Sequence, residues 1–275
     1  MKLAAVVVWY NPEIDDVSNI DSYEDEVDLI IVVDNSMQKN KKAVEALEKR
    51  QKVLYFYMNE NIGLAKALNI GCTKAVSEEC THVLTLDQDA YFEAGSVLNM
   101  RKYIEDTNCS AIGPRVRTMI YKNGEKKLNN EIKTGQENEW IITAGMLLNL
   151  LDWDYVGRFD GKLFIEFIDV DYCLKLVINN KKIGICDTAL LNIQQGNAKE
   201  NHIFGKKVYS NNGSPIRTYY LFRNGFYLKR KYGREYSDYI NAHYWRYIVK
   251  VILFENNKIC KLKNAIKGYV DSKDL

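Results

Sequence analysis

Two carboxylates one residue apart, Asp87 and Asp89, follow a short apolar run that begins at His82. A buried strand that delivers acids to its carboxyl end is an arrangement by which α/β proteins hold a hard cation. Carboxylate oxygens suit Mg²⁺ or Mn²⁺, which take further ligands from water and substrate phosphates. The alternative is a polar turn before a helix, and the three residues alone favour it. The surrounding sequence must decide between the two interpretations.

A second group of acids lies among aromatic and aliphatic residues between Phe159 and Lys175. The pattern predicts a helix that starts at Asp169, with Asp169 and Asp171 in its first turn, where the helix dipole stabilises carboxylates. An acid beside apolar side chains is expected to have a raised pKa, which suits a general base. The alternative is that both acids only stabilise the helix N-terminus.

Short apolar runs must position these acids, and four of them occur before residue 90. The predicted strands are 4–9, 29–33, 53–57 and 82–86. Their length, and the helical pattern that follows the third run, predict right-handed βαβ units and a parallel sheet. Ligands of such sheets bind beyond the carboxyl ends of the strands. We therefore expect the polar residues that follow the runs to share one edge: Asn11, Asp34, Asn61, Asp87 and Asp89.

The rest of the chain predicts a mixture of strands, loops and helices. Strands are predicted at 110–114, 140–145 and 183–193, a loop or hairpin at 122–133, a loop at 194–213, and helices at 214–232, 235–254 and 258–269. Small residues end the run at Gly145, as expected where a substrate approaches the backbone closely. These elements predict an α/β domain over 1–213, with halves of about 1–110 and 111–213. A helical region is predicted over 214–275.

Composition narrows the class of protein. The 275 residues are 47% hydrophobic and 27% charged, which is typical of a globular α/β domain with an appendage. The six cysteines form no C-x-x-C pair, so we predict reduced core residues and no structural zinc.

The apolar N-terminus stops at Pro12 and is predicted to be a strand rather than a signal peptide. No apolar run reaches the roughly 20 residues of a membrane-spanning helix. We expect a cytoplasmic protein, with contact to the inner face of the membrane left open.

Sequence motifs bear on the class of enzyme and on the kind of partner. The chain has neither G-x-G-x-x-G after the first strand nor G-x-x-x-x-G-K-[ST], which argues against a Rossmann dehydrogenase and a P-loop NTPase. The C-terminal helices mix cations with aromatic residues in Tyr227–Tyr232 and Tyr244–Tyr247. This mixture is typical of helices on membrane surfaces, and a solvated face fits equally well. No nucleic-acid-binding motif occurs, so no nucleic acid is expected.

Four segments, in this order and at these separations, resemble the signatures of family 2 glycosyltransferases of the GT-A type, and within them the bacterial rhamnosyltransferase-like group. The segments are Tyr10–Pro12, Val33–Ser36, Asn59–Gly71 and Leu84–Asp89. Thr143–Gly145, the acids around Asp169 and Arg217–Asn224 extend the resemblance over most of the chain, except for about the last fifty residues. The resemblance implies a Rossmann-like, mostly parallel sheet flanked by helices, with a C-terminal helical extension. It also implies that 1–213 is the catalytic domain, with a nucleotide-sugar half at about 1–110 and an acceptor half at about 111–213.

The resemblance also implies a nucleotide-diphospho-sugar donor and a divalent cation, Mg²⁺ or Mn²⁺. It implies that the donor is contacted by Tyr10, Asn11, Asp34, Asn61, Lys66, Asp87, Gln88, Arg217 and Arg223. The arginines suit pyrophosphate because a guanidinium matches phosphate oxygens. Asp89 is the implied metal ligand. Relatives often carry His-x-x-Gly where this chain has Ile193–Gly196, so His202 is a substitute ligand or an exposed loop histidine.

By the same resemblance the reaction is an inverting transfer with Asp169 as general base. Gly145, Glu166 and Asp171 are the implied acceptor or supporting residues. The predicted reaction moves L-rhamnose from dTDP-L-rhamnose to a hydroxyl of a cell-surface polysaccharide or lipid-linked oligosaccharide precursor. One alternative is a nucleotidyltransferase, which would carry a glycine-rich basic loop after its first strand, and another is a non-catalytic nucleotide- or sugar-binding protein. The sequence leaves self-association open.

Overall fold

A computed structural model describes residues 1–122, 125–128, 140–203, 206–210 and 212–275 of the chain. The strands are β1 (Leu3–Trp9), β2 (Leu29–Asp34), β3 (Val53–Tyr57), β4 (His82–Asp87), β5 (Tyr91–Phe92), β6 (Ala111–Lys122), β7 (Glu125–Leu128), β8 (Met146–Asn149), β9 (Ile183–Ile203) and β10 (Lys206–Ser210). The α-helices are α1 (Lys41–Leu47), α2 (Leu64–Ser77), α3 (Ser96–Thr107), α4 (Leu150–Tyr155), α5 (Ile168–Ile178), α6 (Pro215–Tyr232), α7 (Arg234–Phe254) and α8 (Lys258–Asp271). Short 3₁₀ segments cover Ile14–Ser22, Glu24–Glu26 and Ser272–Asp274.

The first of two compact units contains the described residues of Met1–Arg117, Asn130–Phe164 and Ile168–Ile193. Its sheet has the strand order β9-β6-β8-β4-β1-β2-β3. β1, β2, β3 and β4 are parallel, and β8 runs antiparallel to both β4 and β6. Every residue of β1 is buried, because the central strand of a parallel sheet is covered on both faces. The predicted α/β class and parallel central sheet are confirmed.

Helix α2 packs closely on the middle of this sheet. A Cβ at Gly71 would overlap Cγ1 of Val6, so the absence of a side chain lets the helix approach β1. The buried core on the sheet includes Trp9, Ile30, Leu84 and Leu147, which come from β1, β2, β4 and β8. This apolar core carries the strand ends at which the predicted site lies.

The second compact unit contains the described residues of Thr118–Asn129, Ile165–Phe167 and Gln194–Leu275. In it, β10 pairs with the far half of β9 and β7 pairs with the far half of β6, both antiparallel. Three helices follow, and α6 starts as predicted, with the Ser214 side chain accepting from the N–H of Arg217 and Pro215 in the first turn. The predicted helical C-terminal region is confirmed. The predicted domain boundary at 213/214 stays a prediction.

Two predicted elements of the later chain are wrong. Residues 140–145 are not a strand, and the strand begins at Met146, after Gly145 turns the chain with φ +90°. Most of the predicted loop 194–213 is instead the hairpin of β9 and β10. The predicted strand that ends at Pro114 extends to Lys122, where β6 forms a hairpin with β7.

Cysteine usage follows the prediction with one exception. All six thiols are free, and five of them are buried. Cys260 is exposed on α8, so it is not the core residue that the sequence predicted. Among the described residues, no helix combines the length and apolar character that crossing a membrane requires.

Candidate functional site

The polar ends of β1, β2, β3 and β4 lie at one edge of the sheet. In the parallel register Trp9 lies opposite Asp34, Asp34 lies opposite Tyr57, and Val8 lies opposite Asp87. Because the strands point the same way, the loops that follow them leave the sheet on the same side. The structure therefore brings Asp34 and Asp87 to the common edge that the sequence predicted.

Asp34 shapes the turn that follows β2. It is fully buried, its Oδ1 accepts from the N–H of Ser36 at 3.0 Å, and its Oδ2 accepts from the hydroxyl of Tyr55 at 2.6 Å. Burial, followed by the hydrogen bond to Asp34 and its negative charge, raises the pKa of Tyr55, so the phenol keeps its proton. Ser36 Oγ accepts from the N–H of Asn11 at 2.7 Å, which ties the loops after β1 and β2 together. Direct contact between Asp34 or Asn11 and a nucleotide stays a prediction.

Gln88 holds the loop after β1 against the end of β4. Its Oε1 accepts from the N–H of Tyr10 at 2.7 Å, and its Nε2 donates to Asp16 Oδ2 at 3.0 Å. Its carbonyl oxygen accepts from Asn19 Nδ2 at 2.8 Å. Burial raises the pKa of the Asp16 carboxyl. Gln88 thus positions the loop that contains Tyr10, and the predicted contacts of both residues with the donor stay predictions.

Asp87 and Asp89 are partly exposed on either side of Gln88. Their carboxylate oxygens fit Mg²⁺ or Mn²⁺, which can be held by one or two carboxylates with the remaining positions taken by water and phosphate. In the described part of the chain, no three His, Cys, Asp or Glu side chains cluster into an all-protein metal site. The side chain of His202, the predicted second ligand, lies outside the described residues. Binding of a cation by Asp89 therefore stays a prediction.

Two asparagines connect the turn after β2 to the start of α2. Asn35 Nδ2 donates to Asn61 Oδ1 at 3.3 Å, and Asn35 Oδ1 accepts from the N–H of Ile62 at 3.2 Å. Asn61 Oδ1 also accepts from the N–H of Gly63 at 3.1 Å. Gly63 has φ +87°, and a Cβ there would lie 2.7 Å from Phe164 Cδ2, so only glycine fits this position. Asn61 sets the start of α2, and its contact with a donor stays a prediction.

Helix α2 also holds the segment that leads to the second acid group. Asn69 Nδ2 donates to the carbonyl of Phe159 at 2.8 Å, and Asn69 Oδ1 accepts from the N–H of Phe159 at 3.1 Å. The N–H of Leu64 donates to the carbonyl of Phe164 at 2.7 Å. Lys66 is exposed on the same helix, and its contact with a donor stays a prediction. Asn69 was not among the predicted site residues, although it lies in the Asn59–Gly71 segment that carries the resemblance.

The two acids in the first turn of α5 have different surroundings. The helix begins at Ile168, one residue before the predicted start. Asp171 is fully buried and its Oδ2 lies 2.9 Å from Lys175 Nζ. Asp169 is partly exposed, and its Oδ1 accepts from the N–H of Val170 at 2.9 Å. A solute can therefore reach Asp169, whereas Asp171 is enclosed by the protein and suits a structural role.

Gly145 packs against side chains of the same chain. Its N–H donates to the carbonyl of Thr85 at 2.7 Å, which places it beside β4. A Cβ on Gly145 would lie 2.7 Å from Leu191 Cδ2, and the residue has φ +90°. The missing side chain is therefore required by packing and backbone conformation. Its predicted contact with an acceptor stays a prediction.

Within the second unit, α6 holds a backbone segment in an uncommon conformation. Glu166 and Phe167 have φ +69° and +66°, a region that non-glycine residues rarely occupy. Asn224 is fully buried, and its Nδ2 donates to the carbonyls of Ile165 at 2.7 Å and Glu166 at 3.0 Å. Arg217 Nε donates to Glu166 Oε1 at 2.6 Å. These contacts stabilise a conformation that the local sequence alone disfavours.

The arginines predicted to bind pyrophosphate both contact protein groups. Arg217 pairs with Glu166, and Arg223 Nε donates to Asn224 Oδ1 at 2.9 Å. The Arg223 guanidinium also lies 4.7 Å from the ring centroid of Tyr220. Phosphate contacts by these arginines stay predictions. Asn224 was not among the predicted site residues, although it ends the Arg217–Asn224 segment that the sequence singled out.

Comparison with known proteins identifies the family to which the chain is similar. The sequence model of the family described as "Glycosyl transferase family 2" matches residues 14–174, which is more than half of the chain. A curated protein from Shigella flexneri, "dTDP-rhamnosyl transferase RfbF", is 28% identical over 243 residues, covering 82% of this chain and 79% of that protein.

Solved structures show the same fold at low sequence identity. The structure of GalNAc-T7 with UDP, GalNAc and Mn²⁺ aligns with a TM-score of 0.65 and 12% identity, over 100% of this chain. The structure of S. aureus TarS 1-349 in complex with UDP-GlcNAc aligns with a TM-score of 0.60 and 16% identity, covering 99% of this chain and 81% of that one. This chain spans 56% of the GalNAc-T7 chain and 49% of the longer TarS chain.

Proposed function

The chain belongs to glycosyltransferase family 2. We propose that it transfers L-rhamnose from dTDP-L-rhamnose to a sugar hydroxyl. The acceptor is a growing cell-surface polysaccharide or its lipid-linked oligosaccharide precursor. The choice of donor is supported by the similarity to dTDP-rhamnosyl transferase RfbF, which extends over most of both chains.

One structural observation carries the proposal: the partly exposed pair Asp87 and Asp89 at the common strand edge. Ligands of parallel α/β sheets bind beyond this edge. The buried Asp34 and the Asn35–Asn61 hydrogen bond tie the neighbouring loops together, which preorganises the edge for a ligand. Such preorganisation lowers the entropic cost of ordering the site when a ligand binds.

Asp169 is proposed to take the proton of the attacking hydroxyl. As the acceptor oxygen bonds to the anomeric carbon, the bond from that carbon to the diphosphate breaks, and the nucleoside diphosphate leaves with the bonding electrons. The acceptor proton moves to the Asp169 carboxylate, which is partly exposed and lies in the first turn of α5. A single displacement inverts the configuration of the anomeric carbon. Asp171, paired with Lys175, holds the start of the helix.

The leaving diphosphate requires compensation of its charge. Asp89, with Asp87 beside it, is proposed to hold Mg²⁺ or Mn²⁺, which when bound supplies positive charge to the diphosphate. The carboxylate donor set supports this assignment. Tyr10 and Asn11, in the loop that Gln88 and Ser36 hold, are proposed to contact the nucleotide.

A thermal-shift screen of nucleotide sugars, with and without Mn²⁺, tests the proposal. A ligand that binds only the folded chain at 100 times its Kd raises the unfolding free energy by about 2.7 kcal/mol, and the melting temperature by several degrees. We expect the largest shift with dTDP-L-rhamnose plus Mn²⁺, and smaller shifts with UDP-GlcNAc and GDP-mannose.

Two outcomes of this screen would contradict the proposal. A larger shift with another nucleotide sugar would replace the donor while leaving the family assignment in place. Shifts that are the same with EDTA and with Mn²⁺ would remove the cation from donor binding. As a control, Leu151→Asp, which changes an exposed residue of α4, should show the same melting-temperature shifts as the wild type.

A further inference from the structure

Helix α8 uses one face to pack inside the second unit. Lys261, Ala265 and Gly268 are buried at spacings of four and three residues, which places them on one side of the helix. A Cβ on Gly268 would overlap the carbonyl oxygen of Tyr219 in α6, so the two helices are in close contact. The inner face of α8 therefore accounts for its attachment to the protein.

The opposite side of α8 carries a second apolar stripe. Ile259, Ile266 and Val270 are spaced seven and four residues apart and are 74%, 67% and 52% exposed. We call these three residues the outer stripe. On α7, Trp245 and Ile252 repeat the seven-residue spacing and are 72% and 49% exposed. Single exposed apolar residues are ordinary, but an aligned set on the outside of a helix indicates a contact surface.

Positive charges accompany the outer stripe. Lys263 lies between Ile259 and Ile266 on the same side of α8 and is exposed, and Lys267 is exposed beside the stripe. Lys258, at the start of the helix, is exposed too, and its Nζ donates to the carbonyl of Ile252 at 2.6 Å. The one acid inside the helix, Asp271, pairs with Lys267 at 2.5 Å. An apolar stripe with lysines in and beside it is the composition of a helix that lies in a membrane interface and is attracted to anionic lipid.

We propose that the outer stripe of α8 rests on an anionic lipid surface, with Trp245 and Ile252 of α7 as a second apolar contact. The long lysine side chains can extend their ammonium groups to lipid phosphates while their methylenes lie along the apolar layer. A second copy of the chain fits less well. In a two-fold interface the same patch faces itself, so Lys263 would be buried against like charges, and lysines are depleted from interface cores.

This inference does not depend on the proposed reaction. Its residues lie on α7 and α8, whereas the acids proposed for transfer lie on β4, α5 and the loop after β4. If the acceptor is lipid-linked, attachment to the same surface raises the local concentration of the acceptor by restricting the enzyme to the membrane plane.

Co-sedimentation of the full chain with vesicles tests the inference. We expect binding to vesicles of phosphatidylglycerol and phosphatidylcholine in equal parts, and little binding to phosphatidylcholine alone. Binding should weaken at least tenfold between 50 and 500 mM NaCl because salt screens the lysines. Ile266→Asp should weaken binding by at least tenfold. Lys263→Gln should weaken it by about fivefold, the effect expected of one lysine near an anionic surface.

Controls separate this surface from other effects. Leu151→Asp removes an 82% exposed leucine from α4 and should bind vesicles as the wild type does. Ile266→Asp should keep the melting temperature of the wild type and its response to the sugar nucleotide. Unchanged vesicle binding by Ile266→Asp would overturn the inference. A wild-type dimer in light scattering that Ile266→Asp dissociates, without any vesicle binding, would overturn it in favour of self-association.

Discussion

Charged side chains are used differently in the two compact units. At the strand edge of the first unit, Asp87 and Asp89 are partly open to solvent. In the second unit, Lys261 and Glu255 are each 2% exposed and form an ion pair of 2.8 Å. An exposed acid can exchange water for a ligand, whereas a buried pair must satisfy its charges within the protein. The contrast distinguishes acids that solvent can reach from a charged pair that the protein encloses.

The buried pair in the second unit is completed by an asparagine. Asn212 Oδ1 accepts from Lys261 Nζ at 3.3 Å, and the Asn212 N–H donates to Glu255 Oε1 at 3.2 Å. The N–H of Asn256 also donates to Asn212 Oδ1 at 3.1 Å. This network joins the segment before α6 to the turn between α7 and α8.

The largest expected effect concerns the two acids of α5, which reproduce the contrast within one helical turn. Asp169→Asn should lower the transfer rate by about 10²–10⁴-fold, because it removes the proposed proton acceptor. Its melting temperature should stay near that of the wild type, since the amide oxygen can still accept from Val170. The measurement is nucleoside diphosphate release with donor and acceptor present, compared with thermal unfolding.

Asp171→Asn is the matched change for the buried acid. It leaves the Lys175 ammonium without its charged partner, so it should lower stability more than Asp169→Asn does. If Asp169→Asn transferred sugar at the wild-type rate, Asp169 would not be the general base. If instead both variants destabilised the protein equally, the distinction between the exposed and buried acids would fail.

The next largest effect is expected at the buried ion pair. Lys261→Met should lower the free energy of unfolding by about 3–5 kcal/mol, because Glu255 would remain buried without its cation. Lys261→Met with Glu255→Leu should recover much of that loss, since no buried charge remains. Urea denaturation followed by circular dichroism measures both. A loss below about 1 kcal/mol for the single variant would show the pair to be as weak as a surface ion pair.

A smaller effect is expected from helix packing in the second unit. Gly268→Ala should lower the free energy of unfolding by about 1–3 kcal/mol, because its methyl group would overlap the backbone of Tyr219 and separate α8 from α6. Gly161→Ala is a suitable control, since its Cβ would meet Lys66 Cγ at an ordinary 3.5 Å. Equal unfolding energies for the two variants would contradict the close packing of α6 and α8.

The smallest effect is expected from Tyr55→Phe at the strand edge. The change removes one hydrogen bond to the buried Asp34 carboxylate, and bonds to charged groups contribute about 1.5–3 kcal/mol. The lower end applies, because Ser36 still donates to Asp34. Donor affinity should fall severalfold as the turn after β2 loosens. Titration with the donor measures this, and unchanged affinity together with unchanged stability would remove Tyr55 from the support of the site.

The central sheet was predictable from the sequence because its strands are continuous apolar runs. β3 matches its prediction at both ends, and β1, β2 and β4 each differ by one residue. The common edge followed from strand direction, which places all the carboxyl ends together. The acids at positions 87, 89 and 169 were identifiable because they interrupt apolar sequence.

The remaining elements depend on contacts between distant residues. The hairpin of β9 and β10 is polar, and it is held by backbone pairing that leaves no alternation of side chains to read. The strand at Met146 begins only because Gly145 adopts a positive φ beside Thr85, 60 residues earlier in the sequence. The burial of Asp34 depends on Tyr55 from the next strand. The positive φ angles of Glu166 and Phe167 depend on the hydrogen bonds from Asn224 in α6.

Calorimetric titration of the full chain with dTDP-L-rhamnose, in the presence and absence of Mn²⁺, tests most directly whether the strand edge holds a sugar nucleotide through a cation. We expect binding that Mn²⁺ strengthens at least tenfold, and an Asp89→Ala variant that loses this strengthening while keeping its fold. Equal affinity with and without Mn²⁺, or an Asp89→Ala variant that binds as tightly as the wild type in its presence, would contradict the assignment.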